Sequence, residues 1–264
     1  MMAWLRRFYI WLIFFFLYAP ILVLVLFSFN DSRSRSSWDG FTLHWYADLF
    51  ANQQLMTALY NTIAIAIVSA LVATVLGTVA AIGIQRMRGF KHSLTMNLTY
   101  LPILNPDIVT GISMMMFFIA VSIPRGMTSM MLAHITFCLP FVIIVVLPKL
   151  KQMDPLLYDA ALDLGATPSK AYRSVIIPQI LPSILVGFLL AFTMSVDDFV
   201  ISFFVTGNGV NNLSIAIYTM AKRGISPSIN AVMTLILVAV LIAVALVYYY
   251  VSHNKKITEK GWDI

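Results

Sequence analysis

The chain is short of charge and of thiols. Only 11% of its 264 residues are Asp, Glu, Lys or Arg; it has one cysteine, Cys138, and one glutamate, Glu259. A single thiol excludes an internal disulfide and any zinc cluster built from the chain's own cysteines, and Cys138, in an apolar segment, reads as a small packing residue. No G-x-x-x-x-G-K-[ST] phosphate loop occurs, so any ATP used must be handled by another chain. H-E-x-x-H and G-x-S-x-G are also missing, which removes the signatures of metalloproteases and α/β-hydrolases. The pattern shows no short repeat, no low-complexity tract and no soluble domain at either end.

What the chain has instead is apolar surface: 60% of it is hydrophobic and the mean hydropathy is +0.89. A soluble domain would be about 45–50% apolar and about 25% charged. Lipid is therefore the solvent for most of the chain. Its net charge of +6 could suggest nucleic acid, but the positions of the cations point to membrane orientation instead, and no nucleic-acid partner is expected.

Crossing ~30 Å of hydrocarbon takes about 20 helical residues. Six runs qualify, at about 8–29, 58–84, 94–120, 127–148, 183–205 and 231–251. The expectation is an all-α integral membrane protein with a single transmembrane domain over 1–264. With a cytoplasmic N-terminus, all of the 17 lysines and arginines lie inside except Arg33, Arg35, Arg125, Lys222 and Arg223. That bias places both termini in the cytoplasm. Arg6-Arg7 before the first run resembles a secretory signal, but the run is too long and no small-x-small site follows, so the span is expected to be uncleaved.

Two outer loops stand out. Residues 30–57 turn from NDSRSRSSWDG to FTLHWYADLF, which fits an amphipathic interfacial helix with Trp38, Trp45 and Tyr46 as belt residues. Residues 206–230 are rich in Gly and Asn before a short helical stretch ending near Lys222-Arg223, which either docks an acidic partner surface or is a solvated loop end.

The inside loop, 149–182, reads KLKQMDPLLYDAALDLGATPSKAYRSVIIPQILP. Asp154 with Pro155 starts one helix, Gly165 supplies a left-handed stop, and Thr167-Pro168 starts a second. Two short helices held outside the bilayer suit the groove of a soluble partner; on local chemistry alone they are equally an ordinary connector.

Carboxylates inside the membrane are costly, on the order of 2.5–3.5 kcal/mol each on insertion scales. Asp197 and Asp198 nevertheless sit in AFTMSVDDFVISFFV, and Asp107 sits in LPILNPDIVTG, where Pro102, Pro106 and Gly111 predict a kink or break. At ~1.5 Å per residue, Asp107 and Asp197 both lie about 20 Å from the cytoplasmic side. An electronegative ring at one level fits a cationic substrate. On a continuous helix Ser195 and Asp198 share a face, which is assigned to the path, while Asp197 diverges from it. The alternative is that these acids pair structurally with a companion subunit. Trp45 is either an interfacial anchor or a ring face that meets an arriving cation. His134 reads as a hydrogen-bonded packing residue and Met114-Met115-Met116 as lipid or core packing.

Asp159-Ala160-Ala161, three residues, Gly165, nine residues and Val175-Ile176-Ile177-Pro178 resemble the E-A-A-x3-G-x9-I-x-L-P signature of ABC importer permeases. Asp159 replaces Glu, Val175 replaces Ile and Ile177 replaces Leu. FTLHWYADL, NPDIVTGIS, AHITFCLPF and SVDDFVISFFVTG further resemble the spermidine/putrescine permeases of the PotC type. The resemblance implies a type I ABC importer permease core in a bacterial cytoplasmic (inner) membrane. It implies a PotB-type second permease, two ATPase subunits that hold ATP and Mg, and an extracytoplasmic polyamine-binding protein. In that setting Asp159, Ala160, Ala161, Gly165 and Pro178 belong to the coupling loop, and Asp107, Ser195, Asp197, Asp198 and Trp45 are candidates for the path. This chain itself is expected to carry no catalytic residue, cofactor or metal. Three alternatives remain: an ABC importer permease for another cationic solute such as an amino acid or ferric iron, a proton-coupled secondary transporter, and an intramembrane enzyme using the Asp pair or His134.

Overall fold

A computed structural model describes residues 2–32, 37–207, 210–223 and 227–260. Arg33 and Arg35 of the outer loop therefore lie outside the described residues, as do the side chains of Arg223, Lys255, Lys256 and Lys260. The helices run α1 (Met2–Phe27), α2 (His44–Ala51), α3 (Gln53–Arg86), α4 (Gly89–Leu104), α5 (Asp107–Ala120), α6 (Met127–Gln152), α7 (Leu156–Asp163), α8 (Pro168–Ala171), α9 (Ile177–Asp197), α10 (Val200–Val205), α11 (Leu213–Arg223) and α12 (Pro227–Lys260). A π-turn, Tyr172–Ile176, joins α8 to α9. Residues Met1–Thr57 with Ala216–Ile242 form one compact unit, and Ala58–Ile215 with Ala243–Ile264 form another.

Among the described residues five helices are long and apolar enough to cross a membrane: Arg6–Phe27, Gln53–Arg86, Met127–Gln152, Pro168–Asp197 and Pro227–Tyr250. The span expected at 94–120 is instead two helices, α4 and α5, bent by 106°. Pro106 causes the break: it has no N–H to donate, and it forces Asn105 into an extended conformation (φ −75, ψ 139). The span expected at 183–205 is also interrupted, since α9 stops at Asp197 and α10 starts at Val200. Because α6 continues to Gln152 and α9 begins at Ile177, the inner loop is shorter than the expected 149–182.

The second unit is built around α6, with α3 and α9 against it. Along α3, Ile65, Ala66, Ala70, Ala73, Ala81 and Ile84 are buried at helical spacing. Between two lipid-solvated helices the attraction comes from close packing rather than from water exclusion, so small residues mark the seam. Gly77 is its tightest point: a Cβ there would lie 2.8 Å from Val142 Cβ and 3.3 Å from the Leu139 carbonyl oxygen. Gly77→Ala is expected to lower stability by about 1–3 kcal/mol through overpacking. Thermal unfolding in detergent checks this, and adding Val142→Ala should recover most of the loss. Two side chains stitch the same seam, with Ser69 Oγ donating to the Met131 carbonyl (3.2 Å) and Gln85 Nε2 to that of Leu150 (2.8 Å).

In the first unit the chain leaving α1 folds back through Asn30. The Asn30 side chain accepts from Asp39 N–H (3.0 Å) and donates to the Ser37 carbonyl (2.7 Å), while its own carbonyl accepts the Trp45 indole N–H (2.7 Å). Trp45 and Leu49 form the buried face of α2, which is the amphipathic pattern legible in FTLHWYADLF. The α1 side chains, from Trp4 to Leu26, are largely exposed on this chain, as expected of a helix that meets lipid or a companion subunit.

Candidate functional site

Two helix breaks define the site. At the first, α4 ends at Leu104 and α5 begins at Asp107, whose side chain is exposed in the first turn. At the second, α9 ends on Asp197, also exposed, and Asp198 leaves the helix with φ −61 and ψ 120. The breaks face each other because α5 packs on α10 through Gly111, where a Cβ would lie 2.9 Å from the Phe204 ring and 3.4 Å from the Ile201 Cα. Among the described residues neither Asp107 nor Asp197 has a Lys or Arg within ion-pairing distance.

Helix ends sharpen this electrostatic bias. The last carbonyls of α4 and α9 point toward the breaks, and a helix C-terminus carries about half a negative charge. Broken membrane helices use such ends to receive cations. A concavity of about 300 Å³ opens beside the first break, lined by Asn105, Thr110, Ser113, Phe117, Thr136 and Phe137 among others.

Asp198 is placed differently from Asp197. Its side chain is only 7% exposed. One oxygen accepts the Ile201 N–H (3.2 Å) and the other the Ser202 N–H (2.7 Å), so the carboxylate caps α10. The second oxygen also lies 3.5 Å from His134 Nε2. His134 is fully buried, with Nδ1 2.6 Å from Ser195 Oγ and Nε2 3.0 Å from Ser202 Oγ. Asn212 Nδ2 donates to Ser202 Oγ (2.8 Å), and the Asn212 carbonyl oxygen accepts the Ile215 N–H (3.0 Å). A carboxylate, an imidazole, two hydroxyls and an amide thus satisfy one another in the interior, the condition under which buried polar groups are tolerated. The network pins α6, α9, α10 and the start of α11 around the break.

Ser195 and Asp198 do come together, as helical spacing suggested, but through His134 and inside the chain. Asp198 does not keep a helical bearing because its backbone is extended. Trp45 lies in the other unit, 3% exposed, with His44 stacked on its ring at 4.2 Å. In the inner loop, the Asp154 carboxylate accepts the Leu156 N–H (2.9 Å) at the start of α7, and Gly165 is left-handed at φ +82. Asp159, Ala160, Gly165 and Pro178 are exposed and Ala161 faces inward. Leu156 and Leu164 stand 67% and 90% exposed on this non-membrane loop.

Sequence inspection overlooked Ser202 and Asn212, whereas His134 is the hydrogen-bonded packing residue that its position suggested. No proline or glycine beside Asp198 signalled the break, and the unbroken apolar run around it hid Ser202 as a partner. Asn212 reaches the site only by tertiary folding.

Comparison with known proteins places this architecture. Residues 73–257 match the family described as the binding-protein-dependent transport system inner membrane component, and the chain belongs to that family as a multi-pass membrane subunit of ABC transport systems. Among its relatives, it is 39% identical over 249 residues to the putrescine transport system permease protein PotI of Escherichia coli (strain K12), covering 91% of this chain and 88% of that one. It is 39% identical over 229 residues to the spermidine/putrescine transport system permease protein PotC of the same strain, covering 87% of each. A membrane chain of a bacterial ABC transporter involved in import of the acidic polysaccharide alginate shares the fold, with a TM-score of 0.70 and 18% identity over 97% of this chain and 95% of that one.

Proposed function

We propose that this chain is a permease subunit of an ATP-driven polyamine importer and that it forms the translocation path together with a PotB-type permease. The observation that carries the substrate class is the pair of exposed carboxylates, Asp107 and Asp197, at two broken helices, with no Lys or Arg partner among the described residues. The names of the relatives at 39% identity point the same way. A polyamine is a chain of ammonium groups joined by methylenes, so it needs spaced negative charge and apolar walls rather than one deep pocket. Asp107, Asp197 and the ends of α4 and α9 supply the charge, and α5 and α10 supply the walls. Asp198 and Ser195 hold the break open through His134. Trp45, buried and bonded to the Asn30 carbonyl, holds α2 in place rather than offering its ring face to a cation.

Coupling belongs to the inner loop. Exposed Leu156 and Leu164 flank Asp159 on a segment outside the bilayer, where large apolar side chains call for a protein partner. Two ATPase subunits, which hold ATP and Mg, dock there, and an extracytoplasmic binding protein delivers the polyamine. Both termini are cytoplasmic, following the distribution of Lys and Arg. Closure of the ATPases displaces α7, and the helices alternate between outward and inward access.

The test is ATP-dependent uptake of labelled spermidine and putrescine by the assembled complex. Uptake that requires both ATP hydrolysis and the binding protein supports the proposal. Uptake that persists without the ATPase assigns the chain to secondary transport, and a stimulated ATPase that moves neither polyamine overturns the substrate class.

A further inference from the structure

Beneath the membrane-spanning core, three elements meet on one guanidinium. Arg86 is the last residue of α3. Its guanidinium carbon lies 4.8 Å from the centre of the Tyr158 ring and 5.2 Å from that of Tyr172. The two rings are 5.1 Å apart and tilted by 46°. Tyr158 stands on α7 immediately before Asp159, and Tyr172 opens the π-turn that leads into α9. Neighbouring residues fix the same corner. Gln85 donates to the Leu150 carbonyl in the last turn of α6 (2.8 Å), and His92 of α4 lies 3.3 Å from the Ile84 carbonyl.

The two sides of the inner loop are attached unequally. Toward α3, a planar cation is gripped by two aromatic faces, a contact that resists both sliding and separation. Toward α9, the connection is a π-turn, whose extra residue per turn is a local irregularity often found at functional sites. A displacement of α7 therefore passes stiffly into α3, while the π-turn absorbs part of it before α9. We propose that Arg86, Tyr158 and Tyr172 form a mechanical clamp that transmits movement of the α7 loop to α3, with Arg86 as its positioning residue. The inference rests on the importer function proposed above.

The test uses the assembled complex with its companion permease, ATPases and binding protein. ATP hydrolysis is measured with and without spermidine-loaded binding protein, alongside spermidine uptake. Coupling between sites typically spans 5- to 150-fold, and Arg86→Gln is expected to cut the stimulated-to-basal ratio by about fivefold or more. Basal hydrolysis and assembly should stay near native. Tyr172→Leu should act in the same way, whereas Tyr172→Phe keeps the ring face and should keep the ratio. Tyr172→Leu leaves α3 untouched, so it decides the matter by itself if Arg86→Gln does not assemble. A native ratio in both variants overturns the clamp, and so does a proportional fall of basal and stimulated rates. A native complex that spermidine does not stimulate overturns the importer function and the clamp together, and is told apart because the unmodified chain already fails.

Discussion

Changing Asp107 and Asp197 together to Asn is expected to slow polyamine uptake by on the order of thirtyfold at subsaturating substrate, taking roughly 1 kcal/mol for each exposed carboxylate–ammonium contact. Asp107 opens α5 and Asp197 closes α9, both exposed, and among the described residues no Lys or Arg pairs with them. Their removal should therefore leave folding unaffected, because no buried partner is stranded. The loss should fall on transport. Each single change should give an intermediate effect, and raising the salt concentration should narrow the gap between native and mutant as screening weakens the attraction. Initial rates of labelled spermidine uptake, normalised to assembled complex, check the expectation. Native rates in the double mutant would remove these acids from the path.

Asp198→Ala is expected to behave in the opposite way, damaging the fold first. It strands the Ile201 and Ser202 N–H groups in the interior and removes one of the groups around His134. Unsatisfied buried donors cost about 1–3 kcal/mol each, so a loss of about 2–4 kcal/mol is expected. Asp198→Asn keeps one acceptor oxygen for the cap and should lose about 1 kcal/mol. The measurement is the thermal midpoint of the purified complex in detergent, together with its yield. Uptake by Asp198→Asn should follow its stability. Uptake lost at native stability would mean that the buried carboxylate serves the path directly.

The contrast between adjacent aspartates explains why the site was only partly legible in the sequence. Composition and run length locate the spans because the requirement is one-dimensional: about 20 apolar residues per crossing. Pro106 announced the first break, since a missing N–H and a restricted preceding residue act locally. The inner loop was legible for the same reason, because capping by Asp154 and the left-handed Gly165 are decided within a few residues.

The second break gave no such warning. SVDDFVISFF has no proline or glycine, and its local propensity does not oppose a continuous helix. The chain leaves the helix at Asp198 because its carboxylate gains two backbone donors and a place beside His134, 64 positions earlier in the sequence and anchored on α6. That gain depends on α6, α9, α10 and α11 being assembled, and Asn212 completes it from a loop that no periodicity connects to the site.

By itself, then, the sequence determined that this protein lives in lipid, crosses it with helices and carries a capped helical loop between two of them. These follow from solvent transfer and short-range backbone chemistry, which need no knowledge of neighbours. Only the tertiary structure decided which aspartate is sealed inside and which is exposed, and that Arg86 is held between Tyr158 and Tyr172. The environment of a carboxylate or a guanidinium is made by groups far away in the chain, so its role is settled where the helices meet.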